Sequence, residues 1–259
     1  MNLWTFEHTI TLIPTILIMI LITFVLNFFI GDKPLKVRLL PFQVLAVILV
    51  ISEIIKQVLS IIQGYNLYYI PLHVCSLFIF LIPLFGFYKG KGEDIIKTLC
   101  CTVCVALFLF MIVSPNIIYS ADNIKGFFKS YDNFHTVFFH NVVLFEFILI
   151  IGLNLYSVKE KKHLLPVIFL ALGYSLVASS MAQILKTNFS NFYVCNIGPV
   201  NDFVNMVKEK WGYAVGQSIY VSILFILHIA FLMFSYKVFK FIETIKSKTT
   251  HKNSKQIKE

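Results

Sequence analysis

Charge is scarce in this chain. Only 14% of its 259 residues are Asp, Glu, Lys or Arg, against about a quarter in ordinary soluble domains, which excludes a water-facing surface over most of the molecule. Cysteine is scarce too. There are five, an odd number with four inside apolar stretches, which excludes the disulfide framework of a small secreted domain. No Cys/His group has metal-ligand spacing, and there is neither an internal repeat nor a low-complexity segment. The residues ahead of the first apolar run include no Lys or Arg, and no small-x-small cleavage site follows it. That run is therefore expected to remain as a permanent span and not to leave as a signal peptide.

What is present is apolar. At 58% hydrophobic residues and a mean hydropathy of +0.81, the sequence reads as an all-α, polytopic membrane bundle. A spanning helix needs about 20 mostly apolar residues, and seven stretches supply them: 9–30, 39–62, 67–88, 97–119, 133–156, 163–186 and 215–241. Residues 1–241 form one transmembrane domain. Residues 242–259 form a lysine-rich tail too poor in apolar residues to pack, expected to be disordered or to lie against anionic headgroups. The net charge of +9 does not point to nucleic acid, because the basic residues sit in the tail and in short loops between apolar runs. Sixteen of the 22 lie on one side, in loops around Lys33, Lys36 and Arg38, Lys89, Lys91 and Lys97, and Lys159, Lys161 and Lys162, and among the seven lysines after Tyr236. Cytoplasmic loops are enriched in Lys and Arg, which sets the N-terminus outside and the C-terminus inside. The outer stretch 187–214 is rich in aromatics, with Phe189, Phe192, Tyr193, Trp211 and Tyr213, and suits a structured cap at the interface.

That orientation gives each intramembrane polar residue a depth. Glu53, Lys56 and Gln57 come late in the second stretch, His73, Cys75 and Ser76 early in the third, His135, His140 and Asn141 early in the fifth, and Gln183 late in the sixth. All fall in the outer half. Lipid offers such groups no partner, so they should turn inward and meet, which implies a polar cavity open to the outer leaflet.

Cys75 is the candidate nucleophile, since a thiol next to a base can be activated. On one regular helix His73 and Cys75 would stand roughly 160° apart, so the better base is His140 on another span. The plain alternative for Cys75 is a small buried hydrophobe, and Cys100, Cys101 and Cys104 are read that way. His135 and His140, five apart, do not make a zinc pair; His140 is expected to face the bundle, with His135 nearer the rim and bonded to a carbonyl. Glu53 and Lys56, three apart, are close enough to neutralise each other, and either fix packing or orient a histidine or a lipid phosphate. Asn188 and Asn191 could donate to an oxyanion or simply serve a turn.

Pro71-Leu72-His73-x-Cys75, Phe138-Phe139-His140 and Asn191-Phe192-Tyr193 ahead of Pro199 resemble the YwaF-like integral membrane proteins of bacteria. Those are in turn similar to the eukaryotic transmembrane protein 164 family of phospholipid acyltransferases. The resemblance implies that Cys75 carries an acyl group and that His140 is its base. The expectation is a multi-pass cell-membrane protein of lipid metabolism, an acyltransferase with Cys75, His140 and His73 at its centre. Glu53, Lys56, Gln183, Asn188 and Asn191 would line the substrate, with no cofactor or metal and with membrane lipids as partners. The alternative is a transporter or a lipid- or solute-binding protein without covalent chemistry. Against transport, no inverted repeat or matched pair of broken spans is present.

Overall fold

A computed structural model describes residues 3–157, 163–194 and 198–256, with side chains described up to Ile245 and those of 198 and 199 left out. Lys159, Lys161 and Lys162 lie outside the described residues. In chain order the helices are α1 (Phe6–Ile30), α2 (Leu35–Arg38), α3 (Leu40–Ile62), α4 (Phe78–Phe87), α5 (Glu93–Val113), α6 (Pro115–Ile118), α7 (Ala121–Lys125), α8 (Tyr131–Gly152), α9 (Leu164–Leu185), α10 (Gly198–Trp211) and α11 (Tyr213–Gln256). No strand occurs among the described residues. The lysine-rich tail continues α11 as backbone to Gln256.

Among the described residues six helices are long and apolar enough to cross a membrane: α1, α2–α3 taken together, α5, α8, α9 and Tyr213–Ile245 of α11. The third of the seven expected spans is not one regular helix, and its apolar helical segment, Val74–Phe87, is shorter than the other six. Two 3-10 turns, Leu67–Tyr69 and Val74–Leu77, precede the ten-residue α4. Pro71 lies between the turns; it has no N–H to donate and forces Ile70 into an extended conformation (φ −56°, ψ 131°). The segment still runs the length of α3. Gln57 Nε2 donates to the Tyr69 carbonyl (2.9 Å) at one end and Gln43 Nε2 to the Gly86 carbonyl (2.8 Å) at the other, so 69–86 lies antiparallel to α3 as a broken span. Polar side chains satisfy the carbonyls its irregular half leaves open, as a non-aqueous environment requires.

α5 is the central helix. It packs on α4, α8, α9 and α11 and buries residues all round, including Cys100, Cys101, Thr102, Cys104 and Met111. Phe42 and Phe85, both fully buried, meet with ring centroids 4.7 Å apart between α3 and α4. Where α1 crosses α8, a Cβ on Gly152 would collide with Thr23 Cγ2; a small residue is needed for that approach. The outward faces carry exposed Ile, Leu, Val and Phe, such as Ile18, Phe24, Ile54 and Leu176, and these are the surfaces that meet lipid.

The two ends of the bundle differ. At the end holding the N-terminus, Trp4 Nε1 donates to the Ile112 carbonyl (2.9 Å), His8 Nε2 to the Tyr119 carbonyl (2.8 Å), and Glu7 pairs with Lys125 (3.0 Å). At the opposite end, Arg38 Nη1 donates to the Leu153 carbonyl (2.7 Å), Lys97 donates to Glu93 (2.6 Å), and Thr98 Oγ1 bonds Tyr156 and His163. The basic loops around Lys36 and Lys89 belong to that opposite end.

Candidate functional site

The candidate residues gather at the N-terminal end. The last turns of α3 present Ser52, Glu53, Lys56 and Gln57 on one helical face, as residues three and four apart must be. Glu53 is buried; its Oε2 lies 3.6 Å from Lys56 Nζ, and its Oε1 accepts from Gln57 Nε2 at 2.6 Å. α8 completes the group. Ser130 caps its first turn by accepting from the Asn133 N–H, which sets Tyr131, Asp132 and His135 toward α3. Tyr131 OH donates to the Ser52 carbonyl at 2.8 Å, and His135 Nε2 lies 3.0 Å from Glu53 Oε2. Tyr69 OH donates to Asp132 Oδ2 at 2.6 Å while its ring lies under Lys56 Nζ, 5.5 Å from the centroid. In the loop beyond α3, Tyr65 OH donates to Gln57 Oε1 (2.8 Å), and its phenol is held above its ordinary value, first by partial burial and then by the charge of Glu53.

The expectation for His135 is thus corrected. It is buried against Glu53, not on the rim beside a carbonyl, because the α3–α8 contact closes over it.

Cys75 lies one turn of chain away. His73 is extended (φ −79°, ψ 153°) and precedes the 3-10 turn that opens the apolar helical segment Val74–Phe87. His73 and Cys75 are therefore not on one regular helix, contrary to the sequence geometry. Cys75 is in the first turn, where backbone N–H groups have no intrahelical acceptor, and the Ser76 N–H donates to the His73 carbonyl at 2.9 Å. His73 packs on the Tyr68 ring (4.4 Å), with Nε2 3.2 Å from the Tyr68 carbonyl. His140, buried on α8, donates from Nδ1 to the Thr136 carbonyl at 2.7 Å, which leaves Nε2 of the neutral ring as its lone-pair nitrogen. Among the described residues no hydrogen bond joins Cys75 to His140.

The third component is the loop after α9. Asn188 Oδ1 accepts from the N–H groups of Tyr193 (3.1 Å) and Val194 (3.0 Å), Gln183 Nε2 donates to the Phe192 carbonyl (2.8 Å), and Gln217 Nε2 to the Tyr193 carbonyl (3.1 Å). Gln183 and Asn188 thus hold the loop backbone. Asn191 is exposed and left-handed (φ 66°), and its carbonyl accepts from Tyr220 OH. Phe189 and Phe192, fully buried, seat the loop against Leu72, Tyr174 and Phe225. The loop and the Cys75 turn touch: Val74 N–H donates to Ser190 Oγ at 2.9 Å.

Ser190, Tyr174, Tyr69, Tyr131 and Asp132 had no distinguishing signal in the sequence. They are common residue types whose roles come from tertiary contacts. Cys100, Cys101 and Cys104 are buried and free, and among the described residues no group of three or more His, Cys, Asp or Glu could hold a metal ion.

An all-helical, multi-pass bundle with a broken third span and buried ionisable groups gathered at one end defines a polytopic membrane protein with a polar site among its helices. The family model described as the TMEM164 family matches residues 3–233, and the chain belongs to that family. No curated protein and no solved structure matches it.

Proposed function

We propose that the protein is an integral membrane enzyme of lipid metabolism, a phospholipid acyltransferase that carries the acyl group on Cys75 at the outer leaflet. In this reading the N-terminus is outside and the lysine-rich tail meets anionic headgroups inside. His140 Nε2 takes the Cys75 thiol proton, and the thiolate attacks the ester carbonyl carbon of a phospholipid. The ester C–O bond breaks, His140 returns the proton to the departing alkoxide, and a lysophospholipid leaves a thioester on Cys75. An acceptor hydroxyl then gives its proton to His140, its oxygen attacks the thioester, and the sulfur leaves to recover the proton.

The observation that carries this reading is that Cys75, in the first turn of the helical segment Val74–Phe87, stands at the same end of the bundle as His140, whose Nδ1 is committed to the Thr136 carbonyl and whose Nε2 is left for a proton; first-turn N–H groups also suit a tetrahedral oxyanion. Asn191, exposed beside that turn, is the side-chain candidate for the same oxyanion. Lys56 is placed to meet a lipid phosphate once Glu53 is shared with His135. Water exclusion by the apolar surroundings would favour transfer over hydrolysis.

One observation favours a second reading, a lipid- or solute-binding or transport protein without covalent chemistry: the Glu53–Lys56–His135–Gln57 group is complete without Cys75. Turnover of labelled phospholipid by purified protein in liposomes separates the two. Activity lost in Cys75→Ala supports the enzyme; binding or flux that survives Cys75→Ala and is lost in Glu53→Gln supports the alternative.

A further inference from the structure

We infer that Ser190 is a positioning residue whose hydroxyl, linked to that of Tyr174, sets the backbone on which Cys75 is presented. The inference rests on the reading of Cys75 as nucleophile.

Hydrogen counting fixes the direction of each bond. Tyr174 OH lies 2.9 Å from the Leu72 carbonyl, which only accepts, so the tyrosine proton goes there. Ser190 Oγ is 2.5 Å from Tyr174 OH, and the proton between them is therefore the serine's. Ser190 Oγ in turn accepts from the Val74 N–H. The Leu72 carbonyl and the Val74 N–H, on either side of His73, are thus held by one serine–tyrosine pair. That is the extended step from which the turn bearing Cys75 begins.

The backbone of the serine points the same way. Ser190 is left-handed (φ 45°, ψ 36°), as is Asn191 after it. A side chain in that region is disfavoured where glycine is not, so a glycine would satisfy the loop at lower cost. What glycine lacks is the Oγ that Val74 and Tyr174 use. The surroundings hold the conformation in place: Tyr220 OH donates to the Asn191 carbonyl, Phe192 N–H to the Phe189 carbonyl, and Asn188 bonds the following N–H groups. Strain retained under so many restraints is the usual mark of a functional position. Val74 N–H is thus occupied by Ser190 and Ser76 N–H by the His73 carbonyl, so the amides on both sides of Cys75 are fixed.

The test is the pH dependence of Cys75 labelling by a lipid-like thiol reagent in purified protein in nanodiscs, with thermal unfolding alongside. Ser190→Gly removes Oγ while relieving the backbone. It is expected to melt within a few degrees of the parent, to label at least tenfold more slowly at neutral pH, and to require higher pH for half-maximal labelling. Tyr174→Phe is expected to follow in the same direction. Lys186→Gly, which relieves a left-handed residue at the exposed end of α9 and keeps Oγ, is expected to label like the parent. Hydrogen exchange at the Val74 amide should accelerate in Ser190→Gly only. Parent-like labelling and exchange in Ser190→Gly, or equal losses in Lys186→Gly, overturn the inference while leaving the acyltransferase reading standing. A parent in which Cys75 is inert overturns both.

Discussion

His135 Nε2 and Glu53 Oε2 stand 3.0 Å apart, joining the first turns of α8 to the last turns of α3 through two buried side chains. The same carboxylate also meets Lys56 and Gln57, so a single acid serves three partners. Removing one member of a buried charged group leaves the others desolvated and unpaired, which costs about 3–5 kcal/mol. Glu53→Ala is therefore expected to lower the unfolding midpoint far more than Lys56→Ala, since Lys56 is partly exposed. Thermal unfolding in detergent or nanodiscs measures it; equal, small effects would mean that the group is a solvated cluster.

Tyr131→Phe should cost much less. It removes the hydrogen bond to the Ser52 carbonyl and the contact with Ser52 Oγ (3.2 Å) but keeps the ring packing. A loss of about 1 kcal/mol is expected, with the same melt as readout.

Glu146 on α8 presents the opposite case. It is fully buried, with neither carboxyl oxygen hydrogen-bonded. An apolar replacement of similar length removes an unrewarded desolvation cost, so Glu146→Met is expected to raise the unfolding midpoint or leave it unchanged. If the stabilised variant loses turnover, Glu146 has a functional role outside the group formed by α3 and the start of α8.

Cys100, Cys101 and Cys104 are almost completely buried, whereas Cys75 is only partly buried. A thiol reagent in lipid should tag Cys75 and leave those three untouched until the protein is unfolded. Peptide mass mapping reads this directly, and early tagging on α5 would contradict the burial of its thiols.

The sequence made much of this legible, and the physical reason is plain. A run of about 20 apolar residues has few alternatives to crossing a membrane, so the six long apolar helices could be read from hydropathy. The clustering of Glu53, Lys56, His73, Cys75 and His140 at one end followed from counting depth along alternating spans. The break in the third span was less legible, because Pro71 near a span start is compatible with either a helix or an extended entry. It removes the helical angle between His73 and Cys75 on which their separation was argued. Gln183 and Asn188 carried no signal to distinguish a substrate ligand from a residue that bonds its own loop, and His135 none to tell rim from interior. The left-handed backbone of Ser190 is imposed by contacts from α9 and α11, and no local pattern encodes it.

The most direct measurement of the central claim is mass analysis of the Cys75 peptide after the purified protein has been incubated with isotope-labelled phospholipid. The account predicts a hydroxylamine-sensitive acyl adduct on Cys75, formed by the parent, absent in Cys75→Ala, and forming on the order of 100-fold or more slowly in His140→Ala. A Cys75→Ala protein that turns the lipid over as fast as the parent, with no adduct on the parent, would contradict it.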